Sequence, residues 1–246
     1  MRTRTTLILA SLLLAATAFG HDNSGYGLTV LVGDDARPEY FHNGTAYVEA
    51  VRGASYALRI TNPTPYRVAV ALSVDGLNTI DARHTPALDA AKWVLGPHES
   101  TVISGWQVSD STARSFFFTG ERHSYGAKLG QTDNLGVIEA VFFREYGPIY
   151  VEPQPAPMMP GSAGGMAESS KAAPAPSDDY AATGMGRRER HEVETVDIHL
   201  DPNPVASIRL RYEFTPQLVK MGILPQISPL ERREHARGFS TYCPQP

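Results

Sequence analysis

The sequence predicts an all-β protein, an antiparallel β-sandwich of jelly-roll or immunoglobulin-like type, and three observations lead there. Residues 55–81, SYALRITNPTPYRVAVALSVDGLNTID, alternate with a period of two on both sides of an Asn62-Pro63-Thr64-Pro65 break. Tyr56, Leu58 and Ile60 share one face before the break, and Val68, Val70, Leu72 and Val74 share one after it, as two half-buried antiparallel strands do. About eight apolar segments recur at intervals of roughly 8–15 residues, with Gly, Pro and Asp between them, a spacing that fits a sandwich or barrel and not βαβ units. Alternation then returns beyond a long Pro/Gly/Ala-rich stretch as a second hairpin, which on its own would be marginal in water and so needs a sheet to join.

Residues 1–20 read as a secretory signal peptide, because Arg2 and Arg4 precede a short apolar run, 7–19, that ends in small residues. Cleavage after Ala18 and cleavage after Gly20 both fit. The run is short for a membrane anchor, and no later stretch approaches the roughly 20 apolar residues of a spanning helix. The mature chain is therefore expected in a periplasm or outside the cell, with no membrane span. Loss of Arg2 and Arg4 takes the net charge from −4 to about −6, which leaves no basic field to hold nucleic acid. Cys243 is the only cysteine, so no intrachain disulfide forms; near the chain end it reads as a tolerated thiol in preference to an intermolecular link.

A β-sandwich domain is assigned to residues 26–146. Residues 28–32 form its first strand, Gly33-Asp34-Asp35 a turn, and 45–51 a second strand. The central hairpin ends at Asp75-Gly76, a strong turn signal. Residues 82–91 are polar and irregular, and 93–95 are apolar up to the Gly96-Pro97 break. Residues 101–108 alternate with Val102, Ser104, Trp106 and Val108 on one side. Phe116-Phe117-Phe118 suits a strand buried on both faces or at a sheet end, 124–129 a helical turn, and 135–146 (LGVIEAVFFREY) a long closing strand.

Residues 147–186 change character. With almost nothing β-branched or aromatic to bury they cannot offset their ordering entropy, and they are assigned as a disordered linker. Random-coil scaling puts its ends on the order of 35 Å apart, enough for the C-terminal segment to dock on the same domain or on a neighbour. In 187–224, Val193, Thr195, Asp197 and His199 alternate against Val196, Ile198 and Leu200; Asp201-Pro202-Asn203-Pro204 reads as a turn; Ile208, Leu210, Tyr212 and Phe214 then share a face. Residues 218–224 form a short helical cap and 225–246 a tail, and the hairpin is expected to complete the sandwich.

The order RI-N-x-T…VALSVDGLN-I, the Gly105-Trp106 pair and the Gly136-Val137-Ile138 strand resemble a group of uncharacterised exported bacterial proteins. The resemblance spans about residues 47–224 and implies a single β-sandwich, a variable Pro/Gly-rich stretch and a terminal β-hairpin. Its motifs are turn and strand residues, and no catalytic residue comes with them.

The chemistry-bearing residues are few. Were cleavage to fall after Gly20, His21 would present an amine and an imidazole, two nitrogens that chelate Cu(II), as in copper-dependent polysaccharide oxygenases, with His42, His84, His98 or His123 as a second ligand. A solvated terminal histidine is the favoured reading, and no metal site is assigned. Asp75, Asn78 and Asp81, with Asp133-Asn134, form an oxygen-rich set that misses the EF-hand spacing; a type I turn accounts for it better. No G-x-S-x-G, H-E-x-x-H, C-x-x-C or P-loop motif supports hydrolase or nucleotide chemistry. Glu99, Glu121 and Glu139 are scattered, and Glu139 is expected at solvent or an edge. Trp93, Trp106 and Tyr125 are candidates for a sugar-stacking platform, although Trp106 lies in phase with core positions, which leaves Trp93 as the surface candidate. Arg187, Arg188 and Arg190, with His191, make a basic cluster suited to an anionic envelope polymer, with a solvated charge run as the default.

The sequence thus points to a non-enzymatic exported protein that binds an envelope protein or polysaccharide, self-association included, through Trp93 or Arg187, Arg188 and Arg190, with no cofactor. A carbohydrate-directed protein, either a glycan-binding module or a copper oxygenase using His21, is the alternative.

Overall fold

The structure, a computed structural model, describes the backbone of residues 20–21 and the whole of residues 25–146 and 175–226. Residues 1–19 of the segment read as a signal peptide, most of the segment assigned as a linker and Cys243 lie outside the described residues. In chain order the strands are β1 (Gly20–His21), β2 (Gly27–Val32), β3 (Asp35–Ala36), β4 (Glu39–His42), β5 (Thr45–Ala50), β6 (Ser55–Thr61), β7 (Val68–Val74), β8 (Leu77–Asn78), β9 (Trp93–Leu95), β10 (Ser100–Ile103), β11 (Gly105–Ser109) and β12 (Thr112–Gly120). The short helix α1 (Tyr125–Lys128) follows, then β13 (Val137–Glu145), β14 (Ala181–Arg190), β15 (Leu200–Phe214) and helix α2 (Thr215–Lys220).

They build two packed sheets, an all-β sandwich. One has the order β1-β2-β6-β12-β11, with β10 also beside β6, β14 beside β12 and β3 beside β2. The other runs β4-β5-β15-β13-β7-β8, with β9 also beside β7. All pairings are antiparallel except β5 with β15, which is parallel. Among the described residues no helix is long and apolar enough to cross a membrane.

The period-two rows meet between the sheets as the sequence predicts. Leu58 and Ile60 from β6 and Val68, Val70, Leu72 and Val74 from β7 are fully buried, with Phe116, Phe118, Phe142 and Tyr212 completing the core. Each such side chain contributes about 1.5–3 kcal/mol through the apolar area it removes from water. The opposite face of β7 is covered too. Ala71, Ala90 and Phe143 make a small second cluster under the loop that joins β8 to β9.

Turn chemistry sets the hairpins. Asp75 and Gly76 both have positive φ (54° and 74°), as do Asn43 and Gly44 (50° and 76°), which two-residue turns matched to strand twist require. The Asp75-Gly76 turn is therefore not of type I. The Asn43-Gly44 turn, and strand β4 leading into it, are additions to the elements that the sequence predicts.

Three expectations are corrected. Residues 101–108 are not one alternating strand, because β10 pairs with β6 whereas β11 pairs with β12. Gly105 passes against the Arg114 carbonyl, where a Cβ would overlap it, and the phase flips there. Ile103 and Trp106 are buried, while Val102 and Val108 are exposed. The second correction concerns the terminal hairpin. Its two strands are β14 and β15, which join opposite sheets and are linked by residues 191–199, which form no strand. Third, Asp201-Pro202-Asn203-Pro204 is no turn but lies within β15, where register shifts opposite Phe143 absorb the extra residues. The prolines are tolerated because β5 pairs only with Leu210–Phe214, so this part of β15 has one free side.

The composition-based linker boundary at residue 186 falls inside β14, whose Ala181, Ala182 and Thr183 are buried. Small residues are needed here, since a Cβ on Gly184 or Gly186 would run into Phe117 or Ser115. Helix α1 falls within the predicted turn at 124–129, capped by Ser124 Oγ accepting from the Ala127 N–H, whereas α2 (Thr215–Lys220) starts three residues before the predicted 218–224, with a proline in its first turn.

Candidate functional site

The polar residues of the resemblance motif are spent on the fold. Asn62, fully buried, donates from Nδ2 to the Tyr66 and Gly96 carbonyls (both 2.7 Å) and accepts the Thr64 N–H and hydroxyl. Asn78 donates to the Ala91 carbonyl (2.7 Å) and accepts the Ile80 N–H. Asp81 closes an Asx turn by accepting the Arg83 N–H at 3.0 Å. The set Asp75, Asn78 and Asp81 thus points three ways, and among the described residues no group of three His, Cys, Asp or Glu converges on a metal position. For His21 only the backbone pairing with Gly27 is described.

Asp75 is the central case. Its Oδ1 accepts the Gly136 N–H (2.8 Å) and the Tyr212 hydroxyl, and its Oδ2 accepts the Thr183 N–H (2.7 Å). The Thr183 hydroxyl lies 2.6 Å from that of Tyr212 and 2.7 Å from that of Tyr56. Burial raises the Asp75 carboxyl from 3.8 to about 7, although its three donors pull the other way. Tyr56 and Tyr212 are pushed well above the ordinary phenol range, first by burial and then by the Asp75 charge. This constellation would suit proton transfer if a substrate reached it, but all four side chains are sealed between the sheets. Their work is to tie β6 and β14 of one sheet to the β7 turn and β15 of the other.

The described residues form an open groove of about 760 Å³, within the range of small-molecule sites. One wall is β9 with Lys92, Trp93 and Val94; the other is the 191–199 crossing from β14 to β15. Trp93 is half-buried, its Nε1 donating to Thr79 Oγ1 at 2.9 Å. Its ring meets His191 edge-on, centroids 5.6 Å apart. His191 is fixed by Nδ1 at 2.7 Å from Gln107 Oε1, and Gln107 Nε2 donates to the His191 carbonyl at 3.0 Å. Lys92 donates to the Leu88 and Ala90 carbonyls, and its desolvated ammonium is held below the usual lysine range. Arg67, paired with Glu145 at 2.8 Å, stands at the rim.

The structure divides the predicted aromatic set. Trp106 is buried against Phe116 and Tyr125, with ring centroids 5.2 and 5.1 Å away, so no Trp93–Trp106–Tyr125 platform forms. Arg187, Arg188 and Arg190 lie on β14, paired on one side with β12. Arg187 and Arg190 are highly exposed and face their own carboxylates, Glu189 at 3.6 Å and Glu192 at 2.5 Å. The cluster is therefore largely neutralised, and its charges discourage strand addition along this side. His191 and Gln107, which complete the groove, are 84 positions apart, and local patterning gives no sign of their meeting. The chain matches no family model, no curated protein and no solved structure.

Proposed function

We propose that this is a non-enzymatic exported binding protein of the cell envelope, with its ligand seated in the groove between Trp93 and the 191–199 crossing. The observation that carries the reading is the groove itself. Aromatic, cationic and amide side chains converge on a surface that exists only once the chain beyond the linker has closed both sheets. The groups with the most displaced protonation, by contrast, are locked inside the sandwich as structural ties. A photo-crosslinker at Val196, an exposed groove position, tests the reading in the native envelope, with one at exposed Leu129 as control. A recurrent adduct from 196 alone, lost in Trp93→Ala, is expected. Equal adducts from both positions would overturn it.

A carbohydrate ligand is the second reading, favoured by Trp93 beside the hydrogen-bonding side chains of Gln107, His191 and Arg67. Retention on insoluble glycans that disappears with Trp93→Ala would select it; retention unaffected by that change would dismiss it.

A further inference from the structure

The geometry points to a second ligand site, a pocket for a small organic polyanion on the outer face of the β7-β13-β15 sheet. The pocket has a volume of about 460 Å³, enough for a small molecule and more than a bare inorganic ion needs. Its floor is the row of outward side chains that alternates with the core: Ser73 on β7, Glu139 on β13, Arg209 and Arg211 on β15. Its roof is the β8–β9 loop, which brings Arg83 and His84 over β7. With strands about 4.8 Å apart, the β7 and β15 sides lie about 10 Å from each other, so the pocket has cationic groups on both flanks.

Charge gives the class of ligand. The chain as a whole is acidic, at −4, yet three guanidinium groups line this pocket against one carboxylate. Glu139 is already engaged, its Oε1 2.9 Å from Arg209 Nη2. Among the lining residues Arg83 and Arg211 have no carboxylate partner, and the carboxylate whose charge Arg211 offsets, Glu213, lies outside the lining. Glu213, the next outward carboxylate along β15, accepts the Ala181 N–H at 3.2 Å outside this lining. His84 contributes a fixed tautomer. Its Nδ1 is 2.8 Å from the Gly76 carbonyl, which can only accept, so Nδ1 carries the hydrogen and Nε2 is the ring nitrogen left for a ligand. Thr45, Ser73 and Asn134 add neutral hydrogen-bonding groups, while Ala71, Ala87 and Val141 line an apolar patch for a carbon skeleton. A ligand with anionic groups at two ends and a short organic body fits this arrangement, since guanidinium grips carboxylate and phosphate with paired hydrogen bonds. The pocket adjoins the Trp93 groove across Ala90 but shares no charged side chain with it.

Isothermal titration of the full mature chain at low ionic strength, with citrate and with pyrophosphate as probes, tests the site. Saturable one-to-one binding of at least one probe is expected, weakened about tenfold or more in Arg211→Gln and in Arg83→Gln and unchanged in Trp93→Ala. Both arginines are exposed, so the variants should melt within a few degrees of the parent, which separates lost binding from lost fold. No saturable binding by either probe, binding that survives both substitutions, or binding seen only with long-chain polyphosphate would each overturn the proposal.

Discussion

Tyr212 donates its hydroxyl to Asp75 Oδ1 at 2.5 Å, joining residues 137 positions apart in the chain. The contact sits where the β7 turn, β14 and β15 converge, so strands on both sides of residues 147–174 share one buried polar group. Several measurable consequences stem from it.

The first is a pH-dependent stability of unusual sign for a carboxylate. Asp75 is raised to about 7 in the fold, chiefly by burial, and returns to the ordinary range near 3.8 when the chain unfolds. The folded protein therefore holds this proton more tightly than the unfolded chain does. Its contribution is fully present below about pH 4, is lost as pH rises from there to 7, and changes no further above that, a span of about 4 kcal/mol at most. Glu213, also raised by burial, acts in the same direction. Melting temperatures between pH 4 and 8 are expected to decline for the parent and to decline less for Asp75→Asn. The Asn variant should also melt lower at pH 4, because its NH2 must face one of two backbone N–H donors, a mismatch of about 1–3 kcal/mol.

Tyr212→Phe removes the donor and leaves Asp75 Oδ1 with only the Gly136 N–H. A loss of about 1–3 kcal/mol is expected in urea unfolding. The Tyr212 hydrogen bond holds the Asp75 carboxyl down, so the decline in stability should extend to higher pH in this variant. Thr183→Val breaks the same hydroxyl chain, and the double mutant should fall short of the sum by about 0.5–3 kcal/mol. Simple additivity would mean that the four side chains act separately.

Gly105→Ala tests the phase change between β10 and β11. The added methyl would overlap the Arg114 carbonyl, and backbone cannot yield as a flexible side chain would. A destabilisation of about 1–3 kcal/mol or more is expected, with no such loss for Gly130→Ser, whose Cβ meets nothing within 4 Å and whose positive φ alone costs less.

Deleting residues 175–226 removes β14 and β15, hence an inner strand of one sheet and the Thr183 and Tyr212 ties. The truncated chain is expected to show no cooperative thermal transition by circular dichroism. A melting point equal to that of the full chain would mean that the first strands fold alone.

How much of this was legible depends on the range of the interaction. The rows Tyr56-Leu58-Ile60 and Val68-Val70-Leu72-Val74 could be read because a half-buried strand writes its own period. The helical turn at 124–129 is equally local, whereas the start of α2 at Thr215 was missed although the proline after it marks a helix opening. The flip at Gly105 was not legible, since it answers to Arg114 on a neighbouring strand, and Val102 and Val108 sustained a false phase across it. Asp75 reads as a turn residue and is one; that its carboxylate is also claimed by Gly136, Thr183 and Tyr212 is a property of the closed sandwich. In the groove, Trp93 was a candidate from sequence, but its neighbour His191 arrives only through the crossing between sheets. Arg209 and Arg211 alternate with the buried row of β15, and only the β8–β9 loop folding over them makes a pocket.

The place of β15 between β5 and β13 also bears on the order of synthesis. Until residues 210–214 have been made, the sheet exists as two unjoined halves, and the apolar rows of β5, β7 and β13 have no shared partner. At ordinary translation speeds about ten seconds or more separate the making of β5 from that of β15. The sheet that holds β5 and β13 thus closes only after almost all of the described strands have been made.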